Sequence, residues 1–223
     1  MTGPRPSASG RAPLVYVVDD DPSFLKAITR RLEAEGFEVK PFASAAAFLA
    51  IRHQNRPSCA VIDVRMPELD GIALQRAVAS GPDPIPLIFL TGHGDVETSV
   101  EAMKRGAVDF LLKPVPGELL TAAIDAAIAR DREWRNARVK QADAHTRFAR
   151  LTPREREVCA LLVQGLLNKQ IAFDLGMSER TVKAHRAQIM QKTGCESLAD
   201  LVRLRESVRV EPGSPEVPGK RAS

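Results

Sequence analysis

The chain has few cysteines: Cys59, Cys159 and Cys195 are the three in its 223 residues. Their odd number and wide spacing match neither a metal-ligand motif nor a disulfide framework, which argues against a zinc site and a cystine-stapled secreted domain. Cys59 begins an apolar run and Cys159 lies in an apolar helical segment, where cysteine usually behaves as a small buried hydrophobe. Cys195 is the candidate for an exposed reactive thiol, although simple packing is the stronger alternative.

Long apolar runs are also lacking. Residues 1–13 have no apolar core of the kind found in signal peptides. No run approaches the roughly 20 residues that a membrane span requires. These absences predict a soluble protein of the reducing cytoplasm with no membrane partner.

Neither sign of charge dominates the chain as a whole, but the net charge of +4 hides an asymmetry between its two halves. Residues 14–130 carry 12 Lys and Arg against 16 Asp and Glu, whereas residues 131–205 carry 15 against 9. An acidic half followed by a basic half favours a regulatory module joined to one that meets a polyanion. From the charge counts alone, a chance distribution of charged residues over the surface remains an alternative.

Short Val, Ile and Leu runs alternate with helical patterns from residue 14 to about residue 128. The predicted strands are 14–18, 37–40, 59–63, 86–90 and 108–112. The predicted helices between and after them are 22–35, 44–53, 71–79, 95–104 and 116–129. Such alternation is typical of βαβ units. It predicts a five-stranded, doubly wound parallel sheet.

The remainder of the chain has no strand-like run, so the fold class is α/β followed by all-α. We expect a flexible arm over 1–13, an α/β domain over 14–129, a helical linker over 130–150, a helical domain over 151–206 and a disordered tail over 207–223. The four helices predicted in the second domain are 153–164, 168–175, 179–192 and 197–206. The Pro-rich composition of the tail argues against a packed core there.

Polar side chains end four of the predicted strands. Asp19 and Asp20 close the first, Asp63 the third, Thr91 the fourth and Lys113 the fifth. The carboxyl ends of parallel strands open on one edge, where ligands bind. Three carboxylates, a hydroxyl and an ammonium are therefore expected to converge there. Each residue alone also has a plain structural explanation, as a helix cap, a turn or a solvated charge.

Such a set is suited to a metal ion and a phosphoryl group. Mg²⁺ prefers hard oxygen ligands, and Asp19, Asp20, Asp63 and the backbone carbonyl of Arg65 would supply them. Three carboxylates crowded without a cation are unfavourable because like charges disfavour ionisation. The sequence therefore predicts Mg²⁺ or another divalent cation at this edge.

Phosphoryl transfer to a carboxylate depends on positioning and charge stabilisation. Asp63 is the expected nucleophile because it ends the central run, with the other groups on both flanks. Lys113 and Thr91 would supply an ammonium and a hydroxyl donor. The Lys113–Pro114 bond is a candidate cis peptide.

The second half contains a helix-turn-helix pattern. Asn168 begins a short amphipathic helix, Gly176 lies in a tight turn, and Ser178 is a plausible N-cap for a longer helix. The second helix of such a motif enters the major groove of DNA. The residues expected to contact DNA are Lys169, Arg180, Thr181, Lys183, Ala184, His185, Arg186 and Ala187. A solvated cationic helix in an all-α bundle is the alternative.

Helical geometry divides the longer helix into two faces. Val182, His185 and Ile189 share the face expected to pack on the domain, and His185 could pack there or contact a phosphate. The opposite, exposed face is expected to comprise Arg180, Lys183, Ala187, Met190 and Gln191. Arg186 is placed for a phosphate rather than a base.

Four segments of the first half resemble the receiver domain of bacterial response regulators: Val17–Asp21, Asp63–Gly71, Phe89–Gly92 and Asp109–Pro114. The resemblance implies a flavodoxin-like fold and implies that Asp63 accepts phosphate from the phosphohistidine of a sensor histidine kinase. It also implies that Asp20, Asp63 and the Arg65 carbonyl hold Mg²⁺, with Asp19 acting mainly through water.

The same resemblance implies a switch. Thr91 would move toward the phosphoryl group, and Phe110 would rotate inward as the aromatic residue of the last strand. Ordinary core packing is the alternative for Phe110. Gly92 and Gly94 suggest a mobile loop, and His93 within it is a candidate for tuning dephosphorylation, with a merely exposed side chain the stronger alternative.

Three further segments resemble the four-helix DNA-binding domain of the LuxR/FixJ type: Leu151–Val158, Gly165–Ala172 and Thr181–His185. The two halves together resemble a FixJ-type response regulator. Leu167 departs from the pattern, because relatives usually carry a small polar residue there, and a helix cap is expected to be missing. Thr193–Cys195 is a milder variation.

The resemblance implies a transcription factor, most often an activator, that binds double-stranded DNA as a homodimer once phosphorylated. RNA polymerase is a further candidate partner. The resemblance also implies that the protein is not an enzyme. Family dimers often use Val96–Arg105 with Val108–Leu112, and an apolar face on the last helix offers a second pairing surface: Leu198, Leu201, Val202 and Leu204.

Two other functions compete with this interpretation. A phosphorylation-independent DNA-binding regulator with a vestigial receiver is disfavoured by the complete set at the strand ends. An aspartyl-phosphate hydrolase of similar fold would need a cap domain and leaves the helix-turn-helix without a role.

Overall fold

The computed structural model describes residues 12–51, 55–81, 84–92 and 96–209. The chain forms two compact units that divide between Trp134 and Arg135. The first unit contains β1 Leu14–Val18, α1 Pro22–Ala34, β2 Glu38–Phe42, α2 Ala45–Leu49, β3 Ser58–Asp63, α3 Gly71–Ala79, β4 Leu87–Thr91, α4 Val96–Lys104 and β5 Asp109–Leu112. Helix α5 spans Gly117–Ala149, and α6 Pro153–Leu162, α7 Asn168–Asp174, α8 Glu179–Thr193 and α9 Leu198–Arg209 follow it.

The five strands form one parallel sheet in the order β2-β1-β3-β4-β5. Strands β1, β3 and β4 are buried along their whole length, because helices cover both faces. Tyr16 and Phe89 face the core beneath α2, α3 and α4, whereas Val17 and Ile88 face the core beneath α1 and α5. The predicted five-stranded doubly wound sheet is therefore confirmed.

The bounds of β2 and α2 differ from the prediction. Strand β2 continues past residue 40 through Pro41, which is paired in register with Val17. Proline removes a hydrogen-bond donor, but it is tolerated in β2 because this is an edge strand with a partner on one side. The helix predicted over 44–53 ends at Leu49.

Helix α5 runs continuously through the predicted helix over 116–129 and the predicted helical linker over 130–150. Residues 118–149 contain no glycine or proline, so nothing in the local sequence interrupts the helix. No helix in the described part of the chain is both long and apolar enough to cross a membrane.

The second unit is built around a single apolar core. Leu151, Val158, Ile171, Val182 and Leu201 are fully or almost fully buried within it. Helix α6 begins with a capping box, in which the side chain of its N-cap residue Thr152 accepts the Glu155 N–H and the Glu155 carboxylate accepts the Thr152 N–H. The predicted all-α domain thus has a continuous hydrophobic centre.

Both ends of the described chain are more ordered than the predicted arm and tail. The arm predicted as flexible over 1–13 ends in packed residues, because Pro13 is buried and the Ala12 carbonyl accepts a 3.2 Å hydrogen bond from Arg56. Helix α9 continues to Arg209, so residues 207–209 are helical rather than disordered. Residues 1–11 and 210–223, which carry the rest of both predictions, lie outside the described residues.

Candidate functional site

Three charged side chains meet at the carboxyl edge of the sheet. The Lys113 ammonium donates to Asp19 Oδ2 at 2.5 Å and to Asp63 Oδ1 at 2.8 Å. These residues lie 94 and 50 positions from Lys113 in the sequence. The parallel strand order brings them together, since β1 and β3 are neighbours and the long lysine side chain reaches over from the end of β5. Lys113 thus bridges two buried carboxylates and offsets one of their two negative charges.

Backbone groups hold the other oxygens of both carboxylates. Asp19 Oδ1 accepts the Asp21 N–H at 2.9 Å, and Asp63 Oδ2 accepts the Arg65 N–H at 3.0 Å. Each carboxylate therefore accepts one backbone donor and one ammonium donor. Such charge-assisted hydrogen bonds fix the orientation of both groups.

The carboxylates also keep Lys113 charged. Partial burial alone would lower the pKa of Lys113, but the hydrogen bonds and charges of Asp19 and Asp63 outweigh it. The net effect raises the pKa of Lys113 above its ordinary value. A permanent cation therefore lies beside Asp63 at neutral pH.

Thr91 and Lys113 belong to adjacent strand ends. Thr91 is buried at the last position of β4, and its carbonyl accepts the Lys113 N–H at 2.7 Å. The Lys113–Pro114 peptide bond is cis, as predicted. Phe110 is half-buried, with its ring centroid 6.2 Å from that of Phe89. Phe110 thus packs against the core, which is the contact expected if its role is ordinary core packing rather than switching.

Asp20 lies next to this cluster but is exposed. Among residues 12–51, 55–81, 84–92 and 96–209, no three carboxylate, histidine or cysteine side chains are already gathered around one point. The oxygen donors nevertheless suit Mg²⁺, which commonly takes one or two carboxylates and completes its shell with water and phosphate oxygens. Asp19 and Asp63 meet that need, with Asp20 alongside.

Two residues were not predicted from the sequence to lie against the site. The Phe24 ring lies beneath the ammonium, with its centroid 4.1 Å from Lys113 Nζ. Gly71 lies so close to Asp63 that an added Cβ would be 2.7 Å from the Asp63 carbonyl oxygen. The available signal was the place of Phe24 in the first turn of α1, three residues after the aspartate run ends at Asp21.

Most of the residues predicted to contact DNA are exposed, and all of them except Lys169 lie on α8. Val182 and Ile189 are fully buried, and the half-buried members of the set are His185 and Arg186. The exposed members are Lys169, Arg180, Thr181, Lys183, Ala184 and Ala187, with Lys169 on α7. Half-burial of His185 leaves both packing and a phosphate contact open.

Met190 does not fit the predicted faces of α8. It was expected on the exposed side, but it is half-buried and packs against the domain core. Met190 follows the fully buried Ile189 in the sequence, and its long, flexible thioether side chain reaches the edge of the core.

The last helix is also oriented differently from the expectation. Leu201 is fully buried, and Leu198 and Leu204 pack against the same core, so they do not form a free pairing surface. The apolar stripe of α9 is used by its own domain, as is usual for an amphipathic surface helix. By contrast, an exposed apolar face remains on α4 and β5: Val96, Val100, Met103 and Leu112.

The remaining expectations concern Leu167, Cys195 and His93. Leu167 is the N-cap residue of α7 and offers no side-chain cap, although its own N–H donates to Gln170 Oε1 at 2.8 Å. Cys195 is buried, as are Cys59 and Cys159, and burial raises the pKa of the latter two thiols. His93 lies outside the described residues.

Two family models match separate parts of the chain. The family model for the response regulator receiver domain matches residues 15–125. The model for bacterial regulatory proteins of the luxR family matches residues 149–205.

Curated relatives match over nearly the whole length. Nodulation protein W of Bradyrhizobium diazoefficiens is 43% identical over 208 residues, covering 93% of this chain and 91% of the relative. The transcriptional regulatory protein FixJ of the same organism is 43% identical over 190 residues, covering 85% and 93%.

Solved structures of response regulators also match most of the chain. The response regulator StyR is 45% identical, with a TM-score of 0.75, over 87% of this chain and 98% of that chain. Full-length FixJ from B. japonicum is 41% identical, with a TM-score of 0.52, over 88% and 97%. The chain therefore belongs to the two-component response regulators, and among them to the transcriptional regulators that join a receiver domain to a LuxR-type DNA-binding domain.

Proposed function

We propose that Asp63 accepts a phosphoryl group from the phosphohistidine of a sensor histidine kinase and that this modification controls binding to double-stranded DNA. The observation that carries the proposal is the buried Asp63 carboxylate, held by the Lys113 ammonium and the Arg65 N–H. It ends β3, the central strand of the sheet.

The chemistry is a displacement at phosphorus. A carboxylate oxygen of Asp63 forms the new O–P bond while the N–P bond to the kinase imidazole breaks, and the imidazole nitrogen retains the electron pair and takes up a proton. Lys113 stabilises negative charge on the phosphoryl oxygens, and Thr91 supplies a hydroxyl donor. Asp63 is favoured over Asp19 because it is 8% exposed against 2%.

Mg²⁺, or another divalent cation, would be held by the carboxylates of Asp19, Asp20 and Asp63 and by the carbonyl of Arg65. When bound, it would neutralise charge on the phosphoryl oxygens. The Lys113 ammonium stays charged and contacts Asp63, so it would add positive charge near the same phosphoryl oxygens.

The receiver, over 14–129, would signal through Thr91 and Phe110. A phosphoryl group adds roughly −1.5 to −2 charges and strong acceptor oxygens, which attract the Thr91 hydroxyl. Movement at the end of β4 would be followed by α4, and the exposed apolar face of α4 and β5 is suited to homodimer formation. The residues from 130 to 150 would connect this domain to the DNA-binding domain over 151–206.

The DNA-binding domain would place α8 in the major groove, with exposed Arg180 and Lys183 towards the DNA. The other proposed contacts are Lys169, Thr181, Ala184, His185, Arg186 and Ala187. The protein would act in the cytoplasm as a transcription factor rather than as an enzyme, with RNA polymerase as a further partner.

The test compares wild type with Asp63→Asn in DNA binding and solution mass, with and without Mg²⁺ and a small phosphodonor. Asp70→Asn is the matched control, because Asp70 is exposed and Asn also caps a helix. We expect phosphodonor to drive dimerisation and binding in wild type and Asp70→Asn, but not in Asp63→Asn. Tight, unchanged binding in all samples would instead support a DNA-binding regulator with a vestigial receiver.

A further inference from the structure

We infer that Phe24 is a positioning residue for Lys113, acting through the face of its ring. The inference rests on the proposed function, because it assigns Lys113 a role in phosphoryl transfer to Asp63. The Phe24 side chain has no hydrogen-bonding group, so it acts on Lys113 only through its aromatic ring.

The contact geometry is that of a cation–π interaction. Lys113 Nζ lies 4.1 Å from the Phe24 ring centroid, within the roughly 6 Å over which the ring quadrupole attracts a cation. Two of the three ammonium hydrogens serve Asp19 and Asp63. The ring therefore supplies a third contact to the ammonium.

The local structure holds the ring in place. Asp21 is the N-cap of α1, and its carboxylate accepts the N–H groups of Ser23 and Phe24 at 2.8 and 3.3 Å. The half-buried Phe24 side chain packs against the core between the sheet and helices α1 and α5. The aromatic face is thus preorganised before any phosphodonor arrives.

The ring contact differs from the other two during phosphoryl transfer. The charge of Asp63 is consumed when its oxygen bonds to phosphorus, and Asp19 is a proposed metal ligand. The Phe24 ring takes part in neither event, so it holds the ammonium in place throughout the reaction. A cation that is already positioned where negative charge develops stabilises the transition state without reorganising.

The kinetic test uses the full chain, Mg²⁺ and phosphoramidate as a small phosphodonor, so that no kinase surface takes part. Phe24→Leu and Phe24→Met remove the ring while retaining an apolar side chain, whereas Phe24→Tyr retains the ring. We expect phosphorylation to slow by about fivefold in the two aliphatic variants and to stay within about twofold of wild type in Phe24→Tyr. Phe37→Leu, in the same core but away from the ammonium, is the packing control and should retain the wild-type rate.

A second measurement reports the contact without phosphorylation. In wild type, the ring current should shift the NMR signals of the Lys113 ε-methylene protons upfield. The shift should persist in Phe24→Tyr and Phe37→Leu and disappear in both aliphatic variants. It depends on the ring alone, so it remains informative even if Asp63 is not the phosphoacceptor.

The outcomes separate the two proposals. No phosphorylation of wild type would contradict the proposed function, whereas wild-type rates in both aliphatic variants would overturn the role of Phe24. An equal loss of rate in Phe24→Tyr or Phe37→Leu would show a general packing effect and overturn it as well. A defect seen only with a sensor kinase as donor would assign the ring to partner docking, again contradicting this inference.

Discussion

The carboxylate of Asp131 accepts a hydrogen bond from the Ser58 N–H at 2.8 Å, across 73 positions of sequence. Ser58 begins β3, but the pairing of β3 with β4 starts only at Ala60. Asp131, which is 1% exposed, thus satisfies a buried donor that the neighbouring strand does not reach. The contact joins α5 to the sheet at the edge opposite Asp63.

Removing this acceptor should destabilise the receiver. We expect Asp131→Ala to lower its free energy of unfolding by roughly 1–3 kcal/mol, because a buried N–H is left unsatisfied. Asp131→Asn should lose less stability, because its amide oxygen can still accept the Ser58 N–H. Glu133→Ala, at an exposed position, should change the free energy of unfolding little. Urea unfolding together with hydrogen exchange of the Ser58 amide measures the effect, and unaltered exchange in Asp131→Ala would contradict the assignment.

The DNA-binding domain depends on an ion pair between α8 and α6. Lys192 Nζ lies 2.7 Å from both carboxylate oxygens of Glu155, which is buried. Lys192→Met should lower the free energy of unfolding of this domain by roughly 1–3 kcal/mol, because a buried carboxylate loses its main partner. Exposed Lys183→Met on the same helix is the control, and chemical denaturation is the measurement.

The same pair should give a defined pH dependence. The Lys192 hydrogen bond lowers the pKa of Glu155 below its ordinary value. The resulting stabilisation is fully present above the unfolded-state glutamate pKa of about 4.3 and is lost as the pH falls through the lower folded-state pKa. The difference in unfolding free energy between wild type and Lys192→Met should therefore be constant near neutral pH and shrink in acid. A difference that grows below pH 4 would contradict the pairing.

The missing cap of α7 offers a stabilising substitution. Leu167 is 69% exposed, and Gln170 already accepts its N–H, so half of a capping box is present. Leu167→Ser should complete the box and raise the free energy of unfolding by about 1 kcal/mol. Leu167→Ala, which adds no acceptor, should not stabilise. Thermal unfolding of both variants tests whether the hydroxyl is responsible.

Phosphate contacts by α8 should appear in the salt dependence of DNA binding. Lys183→Ala should weaken binding similarly for specific and non-specific DNA and reduce the slope of log affinity against log salt by about 1. Arg203→Ala on α9 removes an equally exposed charge and should leave the slope unchanged. An unchanged slope in Lys183→Ala combined with lost sequence preference would indicate base contact instead.

Prediction from the sequence succeeded where the signal was local and periodic. The strand runs ending at Asp63 and Thr91, and the helix start at Ser178, follow from hydrophobic patterns and cap chemistry within a few residues. It failed at Pro41 and at α9. Whether a proline is tolerated depends on the sheet edge, and whether Leu201 is free depends on which surface its helix covers.

The amino-acid sequence was sufficient to predict the α/β-then-α architecture, the family and the residues that end the strands, because short-range periodicity and motif spacing carry that information. Only the folded chain shows that Lys113 contacts both Asp19 and Asp63, that Phe24 lies beneath it and that Asp131 reaches Ser58. These contacts join residues far apart in the chain. Their distances are set by the strand order and helix packing, which no local pattern encodes.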